Sequence, residues 1–367
     1  MGGAVKPLRI GVVGAGNISR AYLGTLPKLA NVSVTAVADL AGERAAAAAA
    51  TVDGARALPV DGLLAADDVD LVLNLTIPAA HAEVAHSAIA AGKHVYGEKP
   101  LAADTASARA VLDSAERAGV RVGCAPDTVL GTGVQTARAA LDAGDIGTPV
   151  AATAFMVTPG HERWHPDPDF YYQPGGGPLL DMGPYYLSAL VTLLGPVRRV
   201  AGLSSTPRPV RVIGSGPRAG ESIAVNVATH VTGVLEHVNG ALSTLMMSFD
   251  VWAGRLPRIE VYGTSGSLSV PDPNGFEGPV GIFRAGDSEW SSVDEAGGYR
   301  DAARGYGVSD LASALAAGIP HRADGQLAYH VLDVMESLLA AGSSGHAVDV
   351  ASTCQRPAAV PLGARPD

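Results

Sequence analysis

Lysine is nearly absent from this chain. Of its 26 basic residues only Lys6, Lys28, Lys93 and Lys99 are lysines, and none follows position 99. Alongside a heavy alanine load, this is the mark of GC-rich codon usage. In that background a persisting lysine is a candidate for a position that arginine cannot fill. Cysteine is equally scarce: Cys124 and Cys354 are too few for a disulfide framework or a cysteine-based zinc site. Basic charge is in deficit, with 36 acidic side chains and a formal net charge of −10, which argues against general affinity for nucleic acid or an anionic membrane. No apolar run approaches the ~18 residues of a membrane span. The first ten residues show no signal-like apolar stretch, twin arginine or arginine-rich presequence. No membrane partner and a cytoplasmic location are therefore expected. The 367 residues are 47% hydrophobic and 17% charged, enough to pack two cores and unlike a disordered chain.

Short β-branched runs alternate with alanine-rich segments over the first 125 residues. Strands are expected at 8–13, 32–38, 71–75, 94–96 and 121–124, and helices at 17–29, 41–51, 79–91 and 105–118. This βαβ rhythm implies a parallel sheet covered on both faces. After a helix at 133–143 the rhythm changes. Longer strand-like runs at 150–157, 197–203, 223–235, 241–251 and 259–270, separated by turn signals such as Asn239-Gly240, imply a mostly antiparallel sheet. Helical character returns at 307–317 and 325–341. The expected organisation is α/β: a nucleotide-binding domain over 1–125, a second α/β domain with an open sheet over 126–350, and a loose tail over 351–367.

The first strand runs into Gly14-Ala15-Gly16-Asn17-Ile18-Ser19. Gly14 permits a tight turn, Gly16 lets the backbone approach a pyrophosphate, and Ser19 is small enough for the helix to pack on the strand. Asp39 closes the second strand 20 residues past Ser19, where it accepts from ribose hydroxyls. It would repel a 2′-phosphate, so NAD is favoured over NADP; Arg44 works against that preference.

A later strand ends in Tyr96-Gly97-Glu98-Lys99-Pro100-Leu101, and ligands of doubly wound sheets bind beyond such strand ends. With the glycine loop and Asp39, and with Gly92-Lys93-His94-Val95 leading into this segment, the chain resembles the Gfo/Idh/MocA family of NAD(P)-dependent oxidoreductases of sugars, inositols and related compounds. The likeness continues through Gly144-Asp145-Ile146-Gly147 and Gly175-Gly176-Gly177-Pro178-Leu179-Leu180-Asp181-Met182-Gly183, so it spans both halves. It implies a Rossmann domain with Glu98 and Lys99 at the cofactor, and with Thr76, Pro78 and His81, which follow the strand at 71–75, near the nicotinamide. It also implies a C-terminal α/β domain whose open sheet joins copies into a homodimer or homotetramer. Lys99 matches the family's catalytic lysine, and relatives commonly place a cis peptide before the following proline. Lys93 is expected at the surface.

Asp181-Met182-Gly183-Pro184-Tyr185 follows the family's Asp-x-Gly-x-His pattern with tyrosine in the last place. Glucose–fructose oxidoreductase-like members share that change. It leaves Asp181 and Tyr185 as candidates for proton transfer and substrate binding, with the identity of the base open. Residues 155–190 hold seven of the chain's aromatics. Sugar rings present CH faces to aromatic side chains and hydroxyls to polar ones, which makes Trp164 and His165, with His230, candidates for the substrate. A metal site from His161 and His165 is not needed by the family, so no metal is expected.

The expected activity is hydride transfer between a nicotinamide cofactor and a secondary alcohol or ketone of a carbohydrate-like molecule. Lys99 would polarise the oxygen, and Tyr185 with Asp181 would take the proton. Two rivals differ in class. An NAD-retaining glycoside hydrolase acting by transient oxidation would release aglycone without net NADH. A non-catalytic NAD-binding sensor would bind cofactor without turnover; Lys99 and Asp181 argue against it.

Overall fold

The structure is a computed structural model describing residues 6–367. The chain divides into two units: one holds the residues up to 131 together with 298–329 and 360–367, the other holds 132–297 and 330–359. Both depart from the linear division at 125 and 350, because two late segments return to the first unit.

In the first unit the strands are β1 (Leu8–Val13), β2 (Val32–Ala38), β3 (Arg56–Ala57), β4 (Leu71–Asn74), β5 (His94–Gly97) and β6 (Val122–Cys124). All neighbours are parallel, in the order β3-β2-β1-β4-β5-β6. That is the doubly wound dinucleotide-binding order, with its crossover between β1 and β4. The intervening helices are α1 (Ser19–Thr25), α2 (Gly42–Ala49), α3 (Val60–Leu64), α4 (His81–Ala90) and α5 (Thr105–Ala118). The expected helix over 17–29 is split: Pro27 has no N–H for Leu23, and Leu26–Lys28 tightens to a 3-10 turn. The core packs Ile10, Val12, Val37, Leu71 and Leu73 against Val308 and Leu311 from the returning segment. Burying each such side chain contributes roughly 2 kcal/mol.

Two expectations are corrected here. Lys93 is buried, and its ammonium donates to the carbonyls of Ala66 and Val69 at 2.9 and 2.8 Å. Burial is tolerated because two carbonyls replace water around the charge. The C-terminal segment is anchored: Val360 is buried, Asn31 Nδ2 donates to the Pro366 carbonyl at 2.8 Å, and Asp367 accepts from the Ala30 amide. Single long-range hydrogen bonds of this kind leave no periodicity to read.

The second unit opens with α6 (Thr132–Asp142), β7 (Pro149–Val157), α7 (Pro178–Leu194), β8 (Val197–Ser205) and a ribbon of β9 (Val210–Val212) with β10 (Ser222–Ala224). There follow β11 (His230–His237), β12 (Leu242–Ser248), β13 (Ile259–Gly263), β14 (Gly266–Val270), β15 (Val280–Arg284) and β16 (Ser291–Val293). Helix α8 (Tyr306–Ala317) belongs to the first unit; α9 (Gly325–Ser344) and β17 (Val348–Asp349) complete the order. The large sheet runs β16-β15-β14-β13-β7-β12-β11-β8-β17 and is antiparallel except where β7 pairs with β12. The expected strand over 223–235 divides into β10 and β11, which belong to different sheets. Helix α7 packs on β7, β11 and β12. It is buried nearly all round, which erases the amphipathic period by which helices are read from sequence.

Two buried histidines set an acid limit on this packing. His330 Nε2 accepts the Val197 amide at 3.0 Å, so its proton is on Nδ1, toward Ser352 Oγ. His321 is buried beside the Val122 carbonyl. Burial pushes both imidazoles down to about 4. Unfolded histidine takes its proton near pH 6.5, so the unfolded chain binds protons that the native one refuses. Stability is full above ~6.5 and falls as the pH drops toward 4. Each group should cost roughly 2 kcal/mol between pH 7 and pH 5. Urea midpoints across that range measure this, and a flat profile would refute it.

Candidate active site

At the end of β1 the chain turns at Gly14, whose φ is +102°. A Cβ there would lie 2.6 Å from the Leu75 carbonyl, so β1 and the β4 exit approach as only glycine allows. At Gly16 a Cβ would meet nothing within 4 Å, which leaves open space over the loop. The amides of Gly16, Asn17 and Ile18 find no acceptor among the described residues. Free amides over open space suit the pyrophosphate of a dinucleotide. Ser19 is buried, and its hydroxyl closes the loop on the Gly16 carbonyl at 2.6 Å.

Asp39 stands at the end of β2 and is bound on both oxygens. Oδ2 accepts from the Ala15 amide at 2.8 Å; Oδ1 accepts from the Ala41 amide at 2.8 Å and from Arg44 at 2.7 Å. Burial pushes this carboxyl up, but the hydrogen bonds from Arg44, Ala15 and Ala41 outweigh it and hold it below the usual range. An ionised acceptor next to the glycine loop fits the hydroxyls of an adenosine ribose.

The loops after β4 and β5 are tied together. Asn74 Oδ1 accepts from Thr76 Oγ1 at 2.6 Å, and the Asn74 carbonyl accepts the Glu98 amide at 2.9 Å. His81 is fully buried, with Nδ1 2.6 Å from the Pro100 carbonyl and Nε2 3.1 Å from that of Thr76. Burial pushes this imidazole down. A neutral ring has one N–H, so His81 donates to one of these carbonyls at a time, and its place between them packs it against both loops beside the turn carrying Lys99. Pro78 opens a short 3-10 turn before α4.

Beyond β5, Glu98 Oε1 accepts from Tyr22 Oη at 2.8 Å and Oε2 from the Lys99 amide at 3.1 Å. The half-buried Lys99 therefore starts from a fixed backbone, and its bond to Pro100 is cis.

In the second unit, Gly177, with φ +93°, and Pro178 start α7 and put Asp181 in its first turn. Asp181 and the buried Tyr185 lie four residues apart, on one helix face. His161 reaches the same carboxylate, with Nε2 3.2 Å from Asp181 Oδ2. Its ring packs against Trp164, Tyr171 and Phe249, with centroids 5.4, 4.6 and 4.4 Å away. His165 sits edge-on to Trp164, and its Nδ1 accepts the Asp167 amide. His230, at the start of β11, pairs instead with Ser248 Oγ at 2.9 Å.

The loop carrying His161 is held by a buried ionic network. The Arg211 side chain, 1% exposed, donates to Glu162 Oε1 at 3.1 Å and Asp250 Oδ1 at 2.8 Å. Tyr172 donates to the other Glu162 oxygen, Thr229 to the other Asp250 oxygen, and Arg208 adds a third bond to Asp250. Glu162 adjoins His161 and Asp250 adjoins Phe249, so one arginine fixes two sides of the aromatic box. Sequence reasoning missed Arg211, Phe249 and the His161–Asp181 pair. All are long-range, and the one available signal was a histidine inside the aromatic segment. Among the described residues no group of three metal-ligating side chains forms, and no helix is long and apolar enough to cross a membrane.

Residues 8–125 match the model of an oxidoreductase family with an NAD-binding Rossmann fold, and residues 134–269 match the Gfo/Idh/MocA C-terminal domain. A dTDP-3,4-didehydro-2,6-dideoxy-alpha-D-glucose 3-reductase of Streptomyces violaceoruber is 36% identical over 220 residues, which cover 59% of this chain and 63% of that protein. A reductase of the same name from Actinomadura kijaniata is 32% identical over 241 residues, covering 63% of this chain and 70% of that protein. The crystal structure of an NAD-binding oxidoreductase from Klebsiella pneumoniae, 24% identical, superposes with a TM-score of 0.79 over 94% of this chain and 99% of that one. That last likeness shows the fold alone. With the parallel sheet, the glycine loop and both family domains in place, this chain belongs to the Gfo/Idh/MocA family and carries its NAD-binding Rossmann domain.

Proposed function

We propose that this protein moves a hydride between NAD and a secondary alcohol or ketone of a sugar, inositol or related polyol. The observation that carries the reading is Lys99, set on a braced turn beyond β5 in the same unit as the open glycine loop and Asp39. Bound NAD supplies the hydride acceptor at the nicotinamide ring. The Lys99 ammonium is assigned to the reacting oxygen, where a compact cationic donor stabilises developing alkoxide. Asp181 and Tyr185 are assigned to the hydroxyl proton. Trp164, His165 and His230 are assigned to the substrate. The carboxylate of Asp39 favours NAD, and Arg44 beside it leaves NADP as the weaker cofactor.

Cofactor-linked absorbance with NAD and NADP tests this against sugars, inositols, sugar acids and dTDP-linked ketosugars. Turnover with a member of that panel, faster with NAD, is the expected result. Cofactor binding without turnover on any member would overturn it in favour of a sensor. Aglycone release without NADH accumulation would point to the hydrolase.

We also propose that the open sheet joins two copies of the chain. Leu203, Val234 and Leu242 are exposed and fall on one face by strand register. Leu203→Asp with Val234→Lys should sediment as a monomer where the wild type is a dimer or tetramer. A monomeric wild type would refute this.

A further inference from the structure

We infer that His161 is a positioning residue for Asp181: its Nε2–H holds one carboxylate oxygen and thereby sets the direction in which the other faces the substrate. The inference rests on the oxidoreductase reading above, within which Asp181 acts on a hydroxyl.

Three observations support it. The first is the contact. His161 and Asp181 stand 20 positions apart, yet Nε2 lies 3.2 Å from Oδ2 with side chains only 13% and 18% exposed. At that burial a hydrogen bond to a carboxylate is little diluted by water.

The second is the proton's place. His161 Nδ1 is buried and has no hydrogen-bond partner among the described residues. A proton there would be a donor without an acceptor among the rings of Trp164, Tyr171 and Phe249. It would also leave the Nε2 lone pair facing a carboxylate. The tautomer that satisfies both sides carries its proton on Nε2 and donates to Asp181.

The third is rigidity. Arg211 grips Glu162 on one side of the box and Asp250 on the other. The residues next to His161 and Phe249 are thus tied to one buried ionic network. A carboxylate fixed in this way loses its rotation before substrate arrives, and misdirection by about 1 Å can cost 10²-fold in rate. Tyr185, one turn further along α7, carries no imidazole. In this chain the aromatic loop delivers one to the same carboxylate.

The experiment compares His161→Phe with His161→Gln in the full chain, using a substrate found in the panel. Phenylalanine keeps a ring in the box and removes the donor; glutamine replaces Nε2–H with an amide N–H at the same reach. His161→Phe is expected to lower kcat by about 10- to 100-fold with KM changed less than about threefold. His161→Gln should recover most of that loss. In an Asp181→Asn background the Phe change should add little, since coupled residues are not additive. Near-UV circular dichroism and NADH binding confirm folding; if the Phe variant fails there, His161→Leu makes the same comparison. The role is overturned by a His161→Phe or His161→Leu enzyme within twofold of wild type, by Gln as impaired as Phe, or by full additivity with Asp181→Asn. An inactive wild type across the panel overturns the oxidoreductase reading and this role together; an active wild type indifferent to His161 overturns this role alone.

Discussion

Lys99→Arg is expected to lower turnover by about 10³-fold while NADH binding and the unfolding midpoint stay near wild type. The positive charge is kept, so the loss comes from geometry and acidity. A lysine ammonium is a compact point donor with a tunable pKa, whereas guanidinium is a broad planar fork that does not give up its proton. The backbone cannot adjust, because Glu98 binds the Lys99 amide while held by Tyr22. Steady-state kinetics beside fluorescence titration of NADH separates chemistry from binding, and near-normal turnover would remove Lys99 from the reaction. Tyr185→Phe complements this test. If Tyr185 moves the proton, one limb of the pH–rate profile disappears; an unchanged profile rejects it as acid or base.

Arg211→Met should cost about 3–5 kcal/mol of stability, read as a lower urea midpoint. The side chains of Glu162 and Asp250 are only 5% and 10% exposed. Removing the arginine leaves Glu162 with Tyr172 as its remaining side-chain partner and Asp250 with Arg208 and Thr229. A methionine fills the volume but neutralises neither charge. Adding Glu162→Gln should restore part of the loss, since it removes one stranded charge. A change below about 1 kcal/mol would mean that the remaining partners and water suffice. Turnover should fall with stability in Arg211→Met, because the same arginine frames the aromatic box around His161.

Much of the first unit was legible because its information is local. A β-branched run followed by Gly14-Ala15-Gly16 and a helix is a contiguous signal, and Asp39 sits a fixed distance along the next strand. The Glu98-Lys99-Pro100 turn was readable for the same reason, as was the family likeness it carries. Lys93 shows where composition misleads: a scarce lysine immediately before the strand that leads into the motif proves to be a buried strut for two carbonyls. Helix α7 hid its ends because an all-round buried helix has no polar face to set a period.

The amino-acid sequence by itself determined the βαβ order, the phosphate loop, the chemical types at positions 39, 99, 181 and 185, and the change to a sheet-rich second half. These follow from short-range sterics and hydrophobic spacing, which any stretch of chain carries with it. Only the tertiary structure decided that residues 298–329 and 360–367 return to the first unit, that β7 lies beside β12, and that His161 meets Asp181. Those pairings are won by burying distant apolar and ionic groups together, and a linear sequence holds no local mark of which partner will be chosen.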